Sequence, residues 1–235
     1  MTPNLSLGET GRLIELCKAR SLLRNQAAYV LSTGFWESAQ TMQPVREALG
    51  RSTEETIARL DRAWSNGQLP QVSAPYWRRD RDGKAWFGRG LAQATFKSNY
   101  EKCRDRTGID FVADPDLMLD PEAAGIVLVR GMAEGWFTGR RLDQYITLKR
   151  SDFTNARRII NGTDRAADIA AIAKDYDRAL KAEGYGETAP PVLPVPQPEP
   201  VPPPPEPDLP PIAHELKLAA IKRHVDALAA LLATP

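Results

Sequence analysis

Thirteen of the chain's 20 prolines fall between residues 189 and 211, including the unbroken run Pro202-Pro203-Pro204-Pro205. Proline lacks a backbone N–H and fixes φ, so this stretch cannot enter a helix or a sheet and is expected to form a polyproline-II spacer. At about 3.1 Å per residue it would reach roughly 70 Å when fully extended. It divides the chain into a main domain over 1–187, a Pro-rich linker over 188–211 and a C-terminal segment over 212–235. The same composition also suits a ligand for a proline-binding module, a reading that composition alone leaves open.

Beyond the linker, Leu218, Ile221, Val225, Leu228 and Leu232 recur at alternating steps of three and four, which predicts a short amphipathic helix with a narrow apolar seam. Two heptads do not establish an independent coiled coil. Self-association, docking on the main domain, contact with a membrane or protein partner, and a weakly ordered tail all remain open for this helix.

The main domain reads as helices joined by loops. Leu23, Ala27, Val30, Gly34 and Glu37 lie on one helical face, and Pro44 argues against that helix continuing to Glu47. A short helix is expected around Thr53–Trp64 within an otherwise polar, looped stretch. Asp120-Pro121-Glu122 combines a capping Asp, a first-turn Pro and an acid favoured by the helix dipole, and predicts a helix running to about Phe137. Asp164 is expected to open another, with Ile169, Ile172, Tyr176 and Leu180 on its inner side and Gly184 at its end. Few segments alternate with period two, so an extensive sheet is not expected.

Several chemistries are excluded before any site is drawn. The two histidines, His214 and His224, both follow the linker, so the main domain has neither a Ser-His-Asp or Cys-His nucleophile pair nor histidine-ligated zinc. Cys17 and Cys103 are too few for a four-thiolate site and are expected as two separate buried thiols, with one bridge as the alternative. A formal net charge of +1 gives no electrostatic case for a nucleic-acid partner. No stretch approaches the roughly 20 apolar residues that span a bilayer. The residues from Met1 to Arg12 lack the basic start and apolar run of a signal peptide. The expectation is a chain made in the cytoplasm, with any passage across a membrane supplied by another component. Carboxylates remain as the general acids and bases.

Three segments concentrate residues suited to such work. In Phe35-Trp36-Glu37-Ser38-Ala39-Gln40-Thr41-Met42-Gln43-Pro44-Val45-Arg46-Glu47, Glu37 ends an apolar stripe beside two aromatics. An apolar surround would disfavour its charged form and suit it to donate a proton. Glu47, after the Pro44 turn and beside Arg46, is expected in a more polar setting. Two carboxyls in opposed settings match the acid and base of glycoside hydrolysis. By spacing alone, Glu37 is equally readable as a helix-end acid and Glu47 as a solvated one. The second segment, Trp86-Phe87-Gly88-Arg89-Gly90-Leu91-Ala92-Gln93-Ala94-Thr95-Phe96-Lys97-Ser98-Asn99-Tyr100, mixes aromatics with amides and hydroxyls. Such a mixture fits the apolar faces and hydroxyls of a sugar, and its two glycines permit close backbone approach. It is also readable as a glycine turn leading into a structural helix. The third, Asn155-Ala156-Arg157-Arg158-Ile159-Ile160-Asn161-Gly162-Thr163-Asp164, ends in an Asn-Gly that is either a turn or an amide aimed into a cleft.

In this order the segments resemble glycoside hydrolase family 19, the class of plant-type chitinases and many phage endolysins, and most closely its endolysin branch. Trp36-Glu37-Ser38 stands where the family has His-Glu-Thr around its first catalytic glutamate. Thr41 to Glu47 is similar to a run in the endolysin branch whose last residue is the second catalytic acid. Phe87 to Gly90, Gln93 to Thr95 and Asn99-Tyr100 match the family's Tyr-Gly-Arg-Gly, Gln-Leu-Thr and Asn-Tyr pattern, and Asn161-Gly162 its late Asn-Gly. Gly131-Met132-Ala133-Glu134-Gly135-Trp136-Phe137-Thr138-Gly139-Arg140 also looks like the endolysin branch. The resemblance covers roughly residues 10 to 185. The departures are Trp36 for histidine, Ser38 for threonine and Ala94 for a larger apolar residue.

The resemblance implies a mainly α, lysozyme-like helical domain with a substrate cleft and an inverting glycosidase that uses neither cofactor nor metal. It implies Glu37 as general acid and Glu47 as general base. Thr95 and Asn99 would hold the attacking water or nearby sugar groups, and Gln93, Tyr100 and Asn161 would contact N-acetyl and hydroxyl groups. The implied substrate is the glycan strand of bacterial peptidoglycan, with chitin as the alternative and a non-catalytic wall-binding module as the competing class. A lysin of this kind acts on the wall after release and depends on a separate permeabilising protein.

Overall fold

The computed structural model describes residues 3–70 and 72–186. The expected linker over 188–211 and the amphipathic helix over 212–235 lie outside the described residues. Within them the chain is mainly helical, with α1 (Thr10–Ala19), α2 (Arg24–Glu37), α3 (Thr53–Ser65), α4 (Lys97–Thr107), α5 (Pro121–Glu134) and α6 (Ala166–Ala182). Two short strands, β1 (Val45–Arg46) and β2 (Arg89–Gly90), pair antiparallel in the register Val45 to Gly90 and Arg46 to Arg89. No helix among the described residues is long and apolar enough to cross a membrane.

Helix α2 is the central element. From Gln26 to Gly34 every residue is buried, as befits a helix covered on all sides. Its most extensive packing is against α6, while α1 and α5 close its other flanks. A Cβ at Gly34 would stand 3.0 Å from Leu128 of α5, so the glycine sets how closely those two helices approach. The main apolar core gathers around this assembly, with Leu13, Val30, Leu31, Leu128, Met132, Ile169 and Tyr176 among its members. A second, smaller core forms beneath α3 from Leu60, Leu69, Val72, Trp77, Ala85 and Phe87. Adjacent residues divide between the two: Trp86 belongs to the main core and Phe87 to the smaller one. The β1–β2 pair therefore leaves from the seam between them.

Local chemistry accounts for most helix boundaries. The Asp120 carboxylate accepts the N–H groups of Glu122 at 3.0 Å and Ala123 at 2.9 Å, and Pro121 occupies the first turn, as expected. That helix stops at Glu134 rather than near Phe137, because Gly135 turns left-handed with φ 77° and closes it. Helix α6 begins two residues after Asp164, at Ala166, and takes no side-chain cap. The Asp164 carbonyl instead accepts Nε of Arg157 at 3.1 Å. Cys17 and Cys103 are both buried and not bridged to each other, as expected.

Candidate active site

Glu37 is the last residue of α2. The chain leaves the helix through Ala39 and Gln40, both at positive φ (58° and 65°). Hydroxyls tie down the turn that follows: Ser38 Oγ accepts the Met42 N–H at 2.9 Å, and Thr41 Oγ1 donates to the Ser38 carbonyl at 2.7 Å. The Glu37 carboxylate is only 2% exposed, and its Oε1 accepts Nη1 of Arg157 at 2.7 Å. Arg157 is 1% exposed and stands in the 3₁₀ stretch Asn155–Ile159. The apolar surround expected for Glu37 is thus corrected, since a guanidinium lies against it. Neighbours in a helical sequence are about 100° apart around the axis, so the flanking aromatics face elsewhere. Phe35 packs edge-on to Tyr176 at 6.3 Å, and Arg165 lies 5.7 Å over the Trp36 ring.

Glu47 opens a single 3₁₀ turn directly after β1 and is also 2% exposed. Its backbone N–H donates to the Gly88 carbonyl at 2.7 Å, and the Gly88 N–H donates back to Oε2 at 2.8 Å. The Tyr76 hydroxyl donates to Oε1 at 2.5 Å. Glu47 thus has polar partners, as expected, but it is buried and Arg46 is not among them. Side chains alternate across a strand, so Arg46 points away and pairs with Asp116 at 2.7 Å, which Arg89 engages from the other side at 2.8 Å.

The second motif folds over this carboxylate. Gln93 Nε2 donates to the carbonyls of Val45 and Gly90, both at 2.9 Å, and so staples the strand pair. Thr95 Oγ1 donates to the Gln93 carbonyl at 3.0 Å, and Asn99 Nδ2 to the Thr95 carbonyl at 2.6 Å. A Cβ at Gly88 would meet Gln93 Oε1 at 2.8 Å and Thr95 Oγ1 at 3.2 Å, so only glycine lets both side chains settle against the backbone whose N–H holds Glu47. Tyr100 is wholly enclosed; its hydroxyl donates to the Phe87 carbonyl at 2.8 Å and accepts Nη1 of Arg89 at 3.0 Å. Burial pushes its phenol up to about 12, an effect only partly offset by Arg89, so it remains a donor at neutral pH. The substrate contact expected of Tyr100 is not open to it in this arrangement, where it braces the motif from beneath.

Asn161 sits on the other side, with Glu37's partner. Its N–H donates to the Arg157 carbonyl at 3.0 Å and its Oδ1 accepts the Gly162 N–H at 2.9 Å. Asn161 Nδ2, Arg157 Nη2 and Trp36 Nε1 are buried donors without a hydrogen-bond partner among the described residues. The expected site residues therefore fall into two groups. Glu37, Arg157 and Asn161 form one; Glu47 with Tyr76, Gly88, Gln93, Thr95 and Asn99 forms the other. Residues 38–44 connect them.

Backbone strain concentrates in and beside the first two motifs. Of nine non-glycine residues at positive φ among the described residues, five (Ala39, Gln40, Met42, Gln93 and Phe96) lie within the Phe35–Glu47 and Trp86–Tyr100 segments, and Ala48 and Leu49 directly follow the first. Such conformations cost of order 1–3 kcal/mol each and persist where surrounding contacts impose them, commonly at functional sites.

Sequence reasoning did not assign roles to Arg157, Tyr76 or Arg89. A buried carboxylate demands a donor, but nothing local to Glu37 or Glu47 tells which distant residue supplies it. Among the described residues no group of three or more His, Cys, Asp or Glu side chains is placed to hold a metal ion. The chain matches no family model, no curated protein and no solved structure.

Proposed function

We propose that this protein is an inverting glycoside hydrolase of the family-19 endolysin type, acting on the β-1,4-linked glycan of bacterial peptidoglycan in a lysozyme-like groove. One observation carries the reading. The two glutamates singled out by the sequence motifs are both buried carboxylates held by dedicated donors, Arg157 for Glu37 and Tyr76 with Gly88 for Glu47. Surface acids of no function are seldom sequestered in this way.

In this reaction Glu37 transfers its proton to the glycosidic oxygen as the C1–O bond breaks. Glu47 takes a proton from a water whose oxygen attacks C1 from the opposite face, which inverts the anomeric configuration. The mechanism calls for carboxyls about 6.5–9.5 Å apart, to leave room for that water. Arg157 engages Oε1 of Glu37, and Oε2 would present the proton. Delivery to the wall would depend on a separate permeabilising protein, and the C-terminal segment is the candidate contact for a membrane or protein partner.

A second reading, a non-catalytic wall-binding module, is favoured by Trp36 in the place of the family histidine. Mass spectrometry of purified peptidoglycan and chitin after incubation separates these outcomes. Cleaved muropeptide-bearing glycans with the wild type, and none with Glu37→Gln or Glu47→Gln, are expected. Chitin cleavage alone would reassign the substrate. Peptidoglycan pull-down without new reducing ends from either polymer would make the protein a binding module.

A further inference from the structure

Tyr76 belongs to none of the motifs from which the site was read, yet it makes the shortest contact to either glutamate, hydroxyl to Glu47 Oε1 at 2.5 Å. Its ring is fixed on two sides, edge-on to Trp77 at 5.1 Å and 80° and tilted against Phe96 at 5.1 Å. Trp77 is itself anchored, with no exposed surface and Nε1 donating to Asp61 of α3 at 2.8 Å. A rigid path thus runs from α3 through Asp61, Trp77 and Tyr76 to one oxygen of Glu47. The other oxygen is held by the Gly88 N–H at 2.8 Å, on the far side of the carboxylate. Two donors on opposite oxygens fix the carboxylate plane, and a charge-assisted phenol–carboxylate bond is among the stronger of its kind.

Resting on the hydrolase reading above, we propose that Tyr76 is the positioning residue of the general base: its hydroxyl orients Glu47, so the small core under α3 sets the aim of the carboxylate on the attacking water. Gly88 alone would leave the carboxylate free to rotate about its bond to Oε2. The phenol removes that freedom without taking the proton or touching substrate.

The test compares wild type, Tyr76→Phe, and 4-aminophenylalanine incorporated at position 76, on purified peptidoglycan. Tyr76→Phe keeps the ring and its packing. It is expected to lower kcat about tenfold or more, the effect of losing one hydrogen bond to a charged group, with KM little changed and a modest fall in melting temperature from the buried oxygen that loses its donor. The aminophenylalanine, which restores a donor at the same reach, is expected to recover most of that loss. A kcat within about twofold of wild type, a loss confined to KM, or no recovery by the restored donor would overturn the proposal. A readout independent of turnover is the 13C resonance of the Glu47 side-chain carboxyl, assigned by its disappearance in Glu47→Gln. Tyr76→Phe should move it, and an unmoved resonance overturns the proposal even if the wild type cleaves nothing. A wild type without cleavage defeats the hydrolase reading alone.

Discussion

Arg157→Met is the perturbation whose consequence the structure defines most sharply. The guanidinium and the Glu37 carboxylate are 1% and 2% exposed, so solvent screening does little to soften the loss of their 2.7 Å contact. Methionine nearly fills the space of the arginine stem but removes the donors to Glu37 Oε1 and to the Asp164 carbonyl. An uncompensated carboxylate is then left inside the protein at the junction of α2 and α6. Breaking a buried pair from one side costs about 3–5 kcal/mol. For a body of this size each kcal/mol lowers the melting temperature by roughly 2–4 °C, so a fall of roughly 6–20 °C is expected. The cost arises from stranding a charge rather than from losing an attraction. The double variant Glu37→Met/Arg157→Met should therefore recover most of the stability, since apolar replacements of a buried pair are often near neutral. Urea unfolding followed by circular dichroism, with scanning calorimetry alongside, measures both. An Arg157→Met protein within about 1 kcal/mol of wild type, or a double variant no more stable than the single one, would refute the burial argument.

Gly88→Ala should push the Gln93 side chain from its seat 2.8 Å away, loosening its bonds to Val45 and Gly90. We expect about 1–3 kcal/mol of destabilisation and a larger proportional loss of glycan cleavage, read by thermal unfolding and reducing-end release. Asp116 gives a pH signature. Burial raises its carboxyl, but hydrogen bonds and charge from Arg46 and Arg89 outweigh that and hold it below the usual carboxylate range. A folded value below the unfolded one stabilises the protein fully above the unfolded value near 3.9, and that contribution is lost as pH falls through the folded value. Asp116→Asn should therefore flatten the acid limb of a plot of urea midpoint against pH; an unchanged limb would place the acid sensitivity elsewhere.

Elements governed by local rules could be read directly from the chain. The stop of α2 short of Glu47, the start at Pro121 behind the capping Asp120 and the helix over Thr53–Ser65 agree with signals that lie within one or two turns, although α2 already ends at Glu37, seven residues before Pro44. Where two local signals compete, the reading slipped. Gly135 closed α5 before Phe137, and Asp164 stands one residue ahead of the cap position of α6, which Arg165 occupies in the left-handed conformation.

The division between sequence and tertiary structure is clearest at the two glutamates. The residues themselves, the helix end that bears Glu37 and the absence of histidine before the linker are properties of the linear chain, because composition and local backbone preference involve no distant partner. The surroundings of those carboxylates were decided only by folding. Arg157 lies 120 positions from Glu37, and Tyr76 lies 29 from Glu47. Which donor reaches a buried oxygen depends on how α2 packs on α6 and how the small core closes under α3. Electrostatic setting is a sum over spatial neighbours, and neighbours so far apart along the chain leave no local trace.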